Sequence, residues 1–260
     1  MHMTKHILTS IILLILACTN ATAQADTHKR QEPPMFDASR PQRIVEINPH
    51  IGIGLSSLIQ NYGSAIPGLS DLQLSPGCKM SAGVNVRFAL RSSFAIGTGI
   101  DFTINNSNYA MSLIDDNSGS MSSIYMRNHF YELTVPVFVS VRLNIGRFVR
   151  WNIDGGFYLS QGCGGSMKAS GYTSGENSLG QPVVSHSSYR SDYFKDEESL
   201  INGVRSFDYG PHIATGLTFR RRFSLNMVLN VSARNLAINY GNMPIRYRNI
   251  SLIFQLGYNI

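Results

Sequence analysis

The feature that most constrains this chain is an alternation of apolar and polar side chains that begins near Arg43 and recurs as far as Ile260. A period of two places successive side chains on opposite faces of a β-strand, and helical spacing is nearly absent. In the first segment Val45, Ile47, Pro49, Ile51, Ile53 and Leu55 oppose Glu46, Asn48, His50, Gly52, Gly54 and Ser56. In residues 80–90, Ala82, Val84, Val86 and Phe88 oppose Ser81, Gly83, Asn85 and Arg87. In residues 94–105, Phe94, Ile96, Ile100, Phe102 and Ile104 oppose Gly97, Gly99, Asp101 and Thr103. Five more segments follow at about 131–143, 149–162, 207–219, 223–234 and 249–260, an even total of eight. Their apolar faces carry no Asp, Glu, Lys or Arg, whereas the opposite faces carry Glu46, Arg87, Asp101, Glu132, Arg142, Asp154, Asp208 and Arg234.

Two barrels produce such a pattern, a soluble one with its apolar face inside and a membrane one with its apolar face toward lipid. A water-facing exterior is rich in Lys and Glu, yet here the polar faces are mostly Gly, Ser, Asn and Thr, and only 15% of all residues are charged. Small residues suit a narrow lumen. Segments of ten or more residues also match the ~9–11 that cross a bilayer at a tilt. The sequence therefore predicts an all-β fold: an eight-stranded antiparallel transmembrane β-barrel, an up-and-down meander with long extracellular loops. Tight connections at 91–93, 146–147 and 220–222 fall on the periplasmic side, and long ones at 56–79, 106–130, 163–206 and 235–248 fall outside. Phe94, Phe148, Phe219, Phe223 and Tyr258 near the tight turns, with Tyr131, Phe157, Phe207 and Tyr209 near the other ends, are placed to form two interfacial girdles.

The N-terminus decides the compartment. Lys5, the apolar stretch Ile7 to Ala17 and Ala21-Thr22-Ala23 stand in the order of an export signal, so residues 1–23 are expected to be a removed signal peptide. Acylation at Cys18, which follows Ile15-Leu16-Ala17, is the alternative processing route. Residues 24–42 are polar, with Pro33, Pro34 and Pro41, and are expected to be a flexible periplasmic lead-in to a barrel over 43–260. Cys78 and Cys163 are then the mature thiols in an oxidising space, and a disulfide between the first and third outer loops is expected of them.

Several residues carry a family resemblance. Tyr131-Glu132-Leu133-Thr134-Val135-Pro136-Val137-Phe138-Val139, with its mid-strand proline, resembles a strand of the PorT-like family of outer-membrane barrels. Gly155-Gly156-Phe157-Tyr158, Phe207-Asp208-Tyr209-Gly210 and the closing stretch 250–260 resemble further strands of that family in the same order. The terminal Ile260 departs from it, since an aromatic is usual there, while Phe254 and Tyr258 keep the alternate aromatics. The resemblance implies an outer-membrane location in a Gram-negative bacterium and, for the namesake members, a role in type nine protein secretion. It supplies no catalytic residues.

An eight-stranded barrel is just wide enough for its own side chains, so the lumen is expected to be filled. Glu46, Arg87, Asp101, Glu132, Arg142, Asp154, Asp208, His212 and Arg234, with His50, are expected to compensate one another as a luminal ion-pair network. No metal site or cofactor is indicated, because the cysteines and histidines lack ligand spacing. Enzymatic barrels need a nucleophile beside a base. The lipid face offers Thr98 and Thr215 without a histidine, and the outer loops offer His129, His186, Ser187, Ser188 and Asp192 without a diagnostic spacing. A non-enzymatic role is therefore expected, as a structural, interaction or accessory component. Tyr172, Tyr189, Tyr193, Phe194 and the acidic run 196–198 in the long third loop are the candidate recognition surface of an adhesion or ligand-binding alternative. The partners expected are outer-membrane lipids, the barrel-assembly machinery and cell-envelope or secretion proteins. Nucleic acid is not among them, since the formal charge of +6 is scattered. Arg220-Arg221-Arg222, with Arg91, Arg147 and Arg150, is read as anchoring at the periplasmic interface.

Overall fold

The computed structural model describes residues 33–41, 43–61, 69–114, 120–176, 181–194, 204–238 and 245–260. The expected signal peptide, Cys18 and the acidic run 196–198 lie outside them. Among the described residues there are ten strands: β1 (Val45–Asn61), β2 (Leu69–Ser75), β3 (Gly77–Arg91), β4 (Phe94–Ile114), β5 (Met121–Ile145), β6 (Val149–Glu176), β7 (Pro182–Asp192), β8 (Phe207–Phe219), β9 (Phe223–Val231) and β10 (Arg246–Tyr258). Eight of them, β1, β3, β4, β5, β6, β8, β9 and β10, pair antiparallel with their neighbours, and β1 pairs with β10 to close the ring. The ring is the expected barrel. The two additional strands lie on its outer extension, where β2 pairs with the far end of β4 and β7 with the far end of β6.

The faces sort as the alternation requires. Ile51, Ile53, Ile100, Ile213, Phe254 and Leu256 are more than half exposed, while Asn48, Asn105, Ser140 and Arg142 inside the ring are at most 2% exposed. An exterior of this kind is stable only against hydrocarbon, which is the solvent that satisfies apolar surface while the closed ladder satisfies the backbone. Aromatics bracket the band: Phe223 lies 5.3 Å from Tyr258 at the tight-turn end, and Phe102 lies 6.0 Å from Tyr131 at the other. Val139 points outward between its register partners Ile96 and Gly155. Val139→Arg is therefore expected to destabilise the inserted barrel by about 2–4 kcal/mol, seen as a lower urea midpoint in lipid vesicles. An unchanged midpoint would reverse the assignment of faces.

Three expectations need correction. The outer connections are mostly strand, because β4, β5 and β6 run to 21, 25 and 28 residues, far beyond what a bilayer needs. In this extension the apolar side turns inward. Tyr109, Met111, Met126, Phe130, Met167 and Tyr193 pack with Leu58, Val204, Leu236 and Tyr247 in an apolar core above the polar lumen. Residues 33–41 are also no loose lead-in. Ser93 and Ser92 donate backbone N–H groups to Asp37 and Ser39, and Asn144 donates to Met35, which straps the segment across two periplasmic turns. The Ser39 hydroxyl and amide hold the Asp37 carboxyl below its usual pKa. Finally, β9 ends at Val231, so Arg234 lies beyond the strand.

Candidate functional site: a filled lumen between two basic surfaces

The lumen is built from cross-strand rows in which glycines leave room for large neighbours. His50 on β1 and Asp101 on β4 both pair with Gly83 on the intervening β3, and over that glycine His50 Nε2 meets the Asp101 carboxylate at 2.5 Å. In another row Gly97 and Gly156 flank Phe138, whose ring fills the space that a Cβ at Gly97 would need. Arg87 passes over that ring, 5.3 Å from its centre, and donates to Asp154 at 2.9 Å. Arg142 donates to Glu46 at 2.6 Å, with Arg150 3.9 Å from the same oxygen. Glu132 accepts from Asn105 Nδ2 at 2.7 Å and lies 3.4 Å from Lys79 Nζ.

These luminal charges are joined as separate pairs, and three of the residues expected among them stand apart. Asp208 has no cation among the described residues; Tyr158 and Ser232 donate hydroxyls to it at 2.8 and 2.6 Å. His212 bonds Asn230 at 2.7 Å and lies beside Phe138. Arg234 is not luminal: it stacks over Phe207 at 5.8 Å, because the strand that was to carry it inward has already ended. Lys79 was the cation that sequence reasoning missed. It stands two residues before Ser81, in phase with the luminal face, but beyond the assumed end of its strand. A void of about 10 Å³ remains beside Lys79, Glu132, Tyr158 and Asp208, room for about one water. The barrel at this level is packed.

The expected disulfide is absent. Cys78 and Cys163 are both free and exposed, on β3 and β6 with β4 and β5 between them. Two intervening strands put them about 14 Å apart at ~4.8 Å per strand, beyond the ~7 Å that a disulfide spans. Cys163 is the extra residue of a bulge, since Tyr131 pairs with Gly164 and Glu132 with Gly162.

Outside the membrane, the outward face of the extension carries an unusual row. Arg127 on β5, Lys168 on β6 and Arg190 on β7 are in register and exposed. Like charges directly opposed across strands repel. On the same face Tyr125 lies 6.3 Å from Tyr172, which lies 4.8 Å from His186. The register also aligns His129, Ser166 and Asp192, but both ring nitrogens of His129 are engaged, by Asn106 at 2.6 Å and the Tyr131 hydroxyl at 2.9 Å. Tyr193 and Phe194, expected at the surface, pack inward on Phe130, with ring centres 4.2 and 5.8 Å away.

At the periplasmic end a cavity of about 570 Å³ opens between the strap, the barrel wall and the turn Arg220-Arg221-Arg222. That turn is closed by Arg222 N–H donating to Phe219 O at 2.9 Å, with φ of +47° at Arg220 and +60° at Arg221. Hairpins with two positive-φ residues favour Asn and Gly, and an L side chain there costs about 1 kcal/mol or more.

A comparison with curated proteins finds no match. Among solved structures, Ail, the attachment invasion locus protein of Yersinia pestis, in complex with the heparin analogue sucrose octasulfate, is 10% identical, with 84% of this chain and 100% of that one covered and a TM-score of 0.33. Neisserial surface protein A is 8% identical over 82% and 96%, with a TM-score of 0.28. The outer membrane protease OmpT from Escherichia coli is 10% identical over 90% and 99%, with a TM-score of 0.27. At these scores nothing about ligand or activity passes to this chain. The family model described as outer membrane protein beta-barrel domain matches residues 23–237. With the closed ring and its inverted faces, this match places the chain in the outer membrane of a Gram-negative bacterium, as a member of the outer membrane protein beta-barrel family.

Proposed function

We propose that this barrel is a non-enzymatic interaction component of the outer membrane that engages an anionic partner through the outward face of its extension. The row Arg127, Lys168 and Arg190 carries this reading. Three opposed cations lower stability on their own, and a bound anion turns that cost into attraction. The exposed Tyr125 and Tyr172 supply rigid contact area beside the charge. The packed lumen favours a platform over a channel, and the engagement of both His129 nitrogens disfavours a catalytic base there. By its resemblance to the PorT-like family, the partner belongs to the type nine secretion pathway, whose cargo or machinery would meet the outer face.

The triple variant Arg127→Ser, Lys168→Ser and Arg190→Ser separates recognition from folding. Whole cells bearing the native protein are expected to retain fluorescent dextran sulfate over neutral dextran, and the variant to lose that preference. Removing the repulsion should leave the variant as stable as the parent or firmer by up to about 1 kcal/mol. Retention equal in both would end the proposal.

A further inference from the structure

We propose that the cavity at the periplasmic mouth is a binding site for phosphate-type oxyanions. Its volume of about 570 Å³ lies within the ~300–1,000 Å³ of small-ligand sites. Three separate parts of the chain deliver guanidiniums to it. Arg40 and Arg43 come from the strap and its continuation, Arg142 and Arg150 from the barrel wall, and three more from the Arg220-Arg221-Arg222 turn. Among the described lining residues these seven meet two carboxylates, Asp37 and Glu46, and a carboxylate on Ile260 would make three. Glu46 is already shared by Arg142 and Arg150. Arg142 is 2% exposed, yet its Nε has no hydrogen-bond partner among the described residues.

The residue type narrows the ligand. Every basic residue among the described lining is an arginine, and the planar guanidinium fork matches the oxygens of a phosphate in paired hydrogen bonds. The space is roughly one Debye length across, ~8 Å in physiological salt, so bulk ions relieve the repulsion poorly. A multiply charged oxyanion relieves it directly. The turn gives independent support, because two arginines hold backbone conformations that Asn and Gly adopt at little cost. Strain kept at a ligand-facing position is the mark of a site held for function. Arg147 and Arg220 both stack on Phe148, and interfacial anchoring explains Arg147, which does not line the cavity, but it does not explain guanidiniums from three parts of the chain gathered at the barrel mouth.

The test uses the full mature protein in phosphatidylcholine nanodiscs, titrated with inorganic pyrophosphate at constant ionic strength by calorimetry. Saturable binding is expected. Arg220→Asn with Arg221→Gly should weaken it about tenfold or more, while the unliganded protein melts at a higher temperature because the turn is relaxed. Arg40→Gln with Arg43→Gln, outside the barrel strands, should weaken it as well. Absence of saturation, an equal response to chloride, or wild-type affinity in both variants overturns the proposal. Nanodiscs containing phosphatidylglycerol distinguish the source of the phosphate. Weaker pyrophosphate binding there identifies a lipid headgroup as the occupant, and unchanged binding identifies a free phosphorylated solute; both uphold the site.

Discussion

Replacing Asp154 by Ala is expected to remove about 3–5 kcal/mol from the stability of the folded barrel. Its carboxylate accepts the Arg87 guanidinium at 2.9 Å, and the two side chains are 5% and 6% exposed. The pair itself adds little net stability, since bringing two ions out of water costs roughly what their attraction returns. Breaking it is different. The buried Arg87 guanidinium would stay against Phe138 with no ion-pair partner among the described residues. Arg87→Met in the Asp154→Ala background should restore most of the loss, because no uncompensated charge then remains. Urea unfolding in vesicles gives both values, and a double variant no better than the single one would show that the penalty is a packing defect.

The second large effect lies above the membrane. Phe130 stacks on Tyr193 with ring planes 3° apart and meets Phe194 edge to face, at the centre of the apolar cap. Phe130→Ala is expected to cost the cap about 3–5 kcal/mol, and to do so locally, because the cap's apolar packing is separate from the luminal pairs. The barrel below should therefore stay folded in the variant, read as a difference in gel mobility between unheated and boiled samples equal to the parent's. Limited proteolysis should instead cut within 163–206 at protease levels that the parent resists. A variant that resists as well as the parent would mean that the extension is held by its ladders alone.

The two effects mark what was legible in the sequence. At membrane level the strands were readable because hydrocarbon outside and ion pairs inside make opposite demands on alternate residues. Outward Leu133 and Val139 and inward Glu132 and Arg142 state this on β5. A few turns of chain away the demands reverse. Water lies outside, so Met126 and Phe130 occupy the parity that Glu132 and Arg142 hold below. To a search for one continuous apolar face this inversion looks like the end of the strand, which is why the alternation alone starts β5 near Tyr131. On β6 the Cys163 bulge adds one residue and hides the change of phase again. Most of the luminal charges were legible singly, though not Lys79, and none as pairs, because His50 with Asp101 and Arg87 with Asp154 are joined across intervening strands. The periplasmic cavity was legible only as a basic turn, since its other arginines are brought there by the strap.

Closure of the ring by β1 and β10 has a kinetic consequence. The register from His50 with Gly257 to Asn61 with Arg246 joins segments about two hundred residues apart, the most distant pairing in the sheet. Loop-closure entropy falls due before any of those contacts forms, so this seam belongs to the slowest class of folding event. Until β10 arrives, the growing sheet shows two unpaired edges and cannot shield its backbone from hydrocarbon. Insertion and closure must then be one concerted step, and the protein has no stable half-built form within the bilayer.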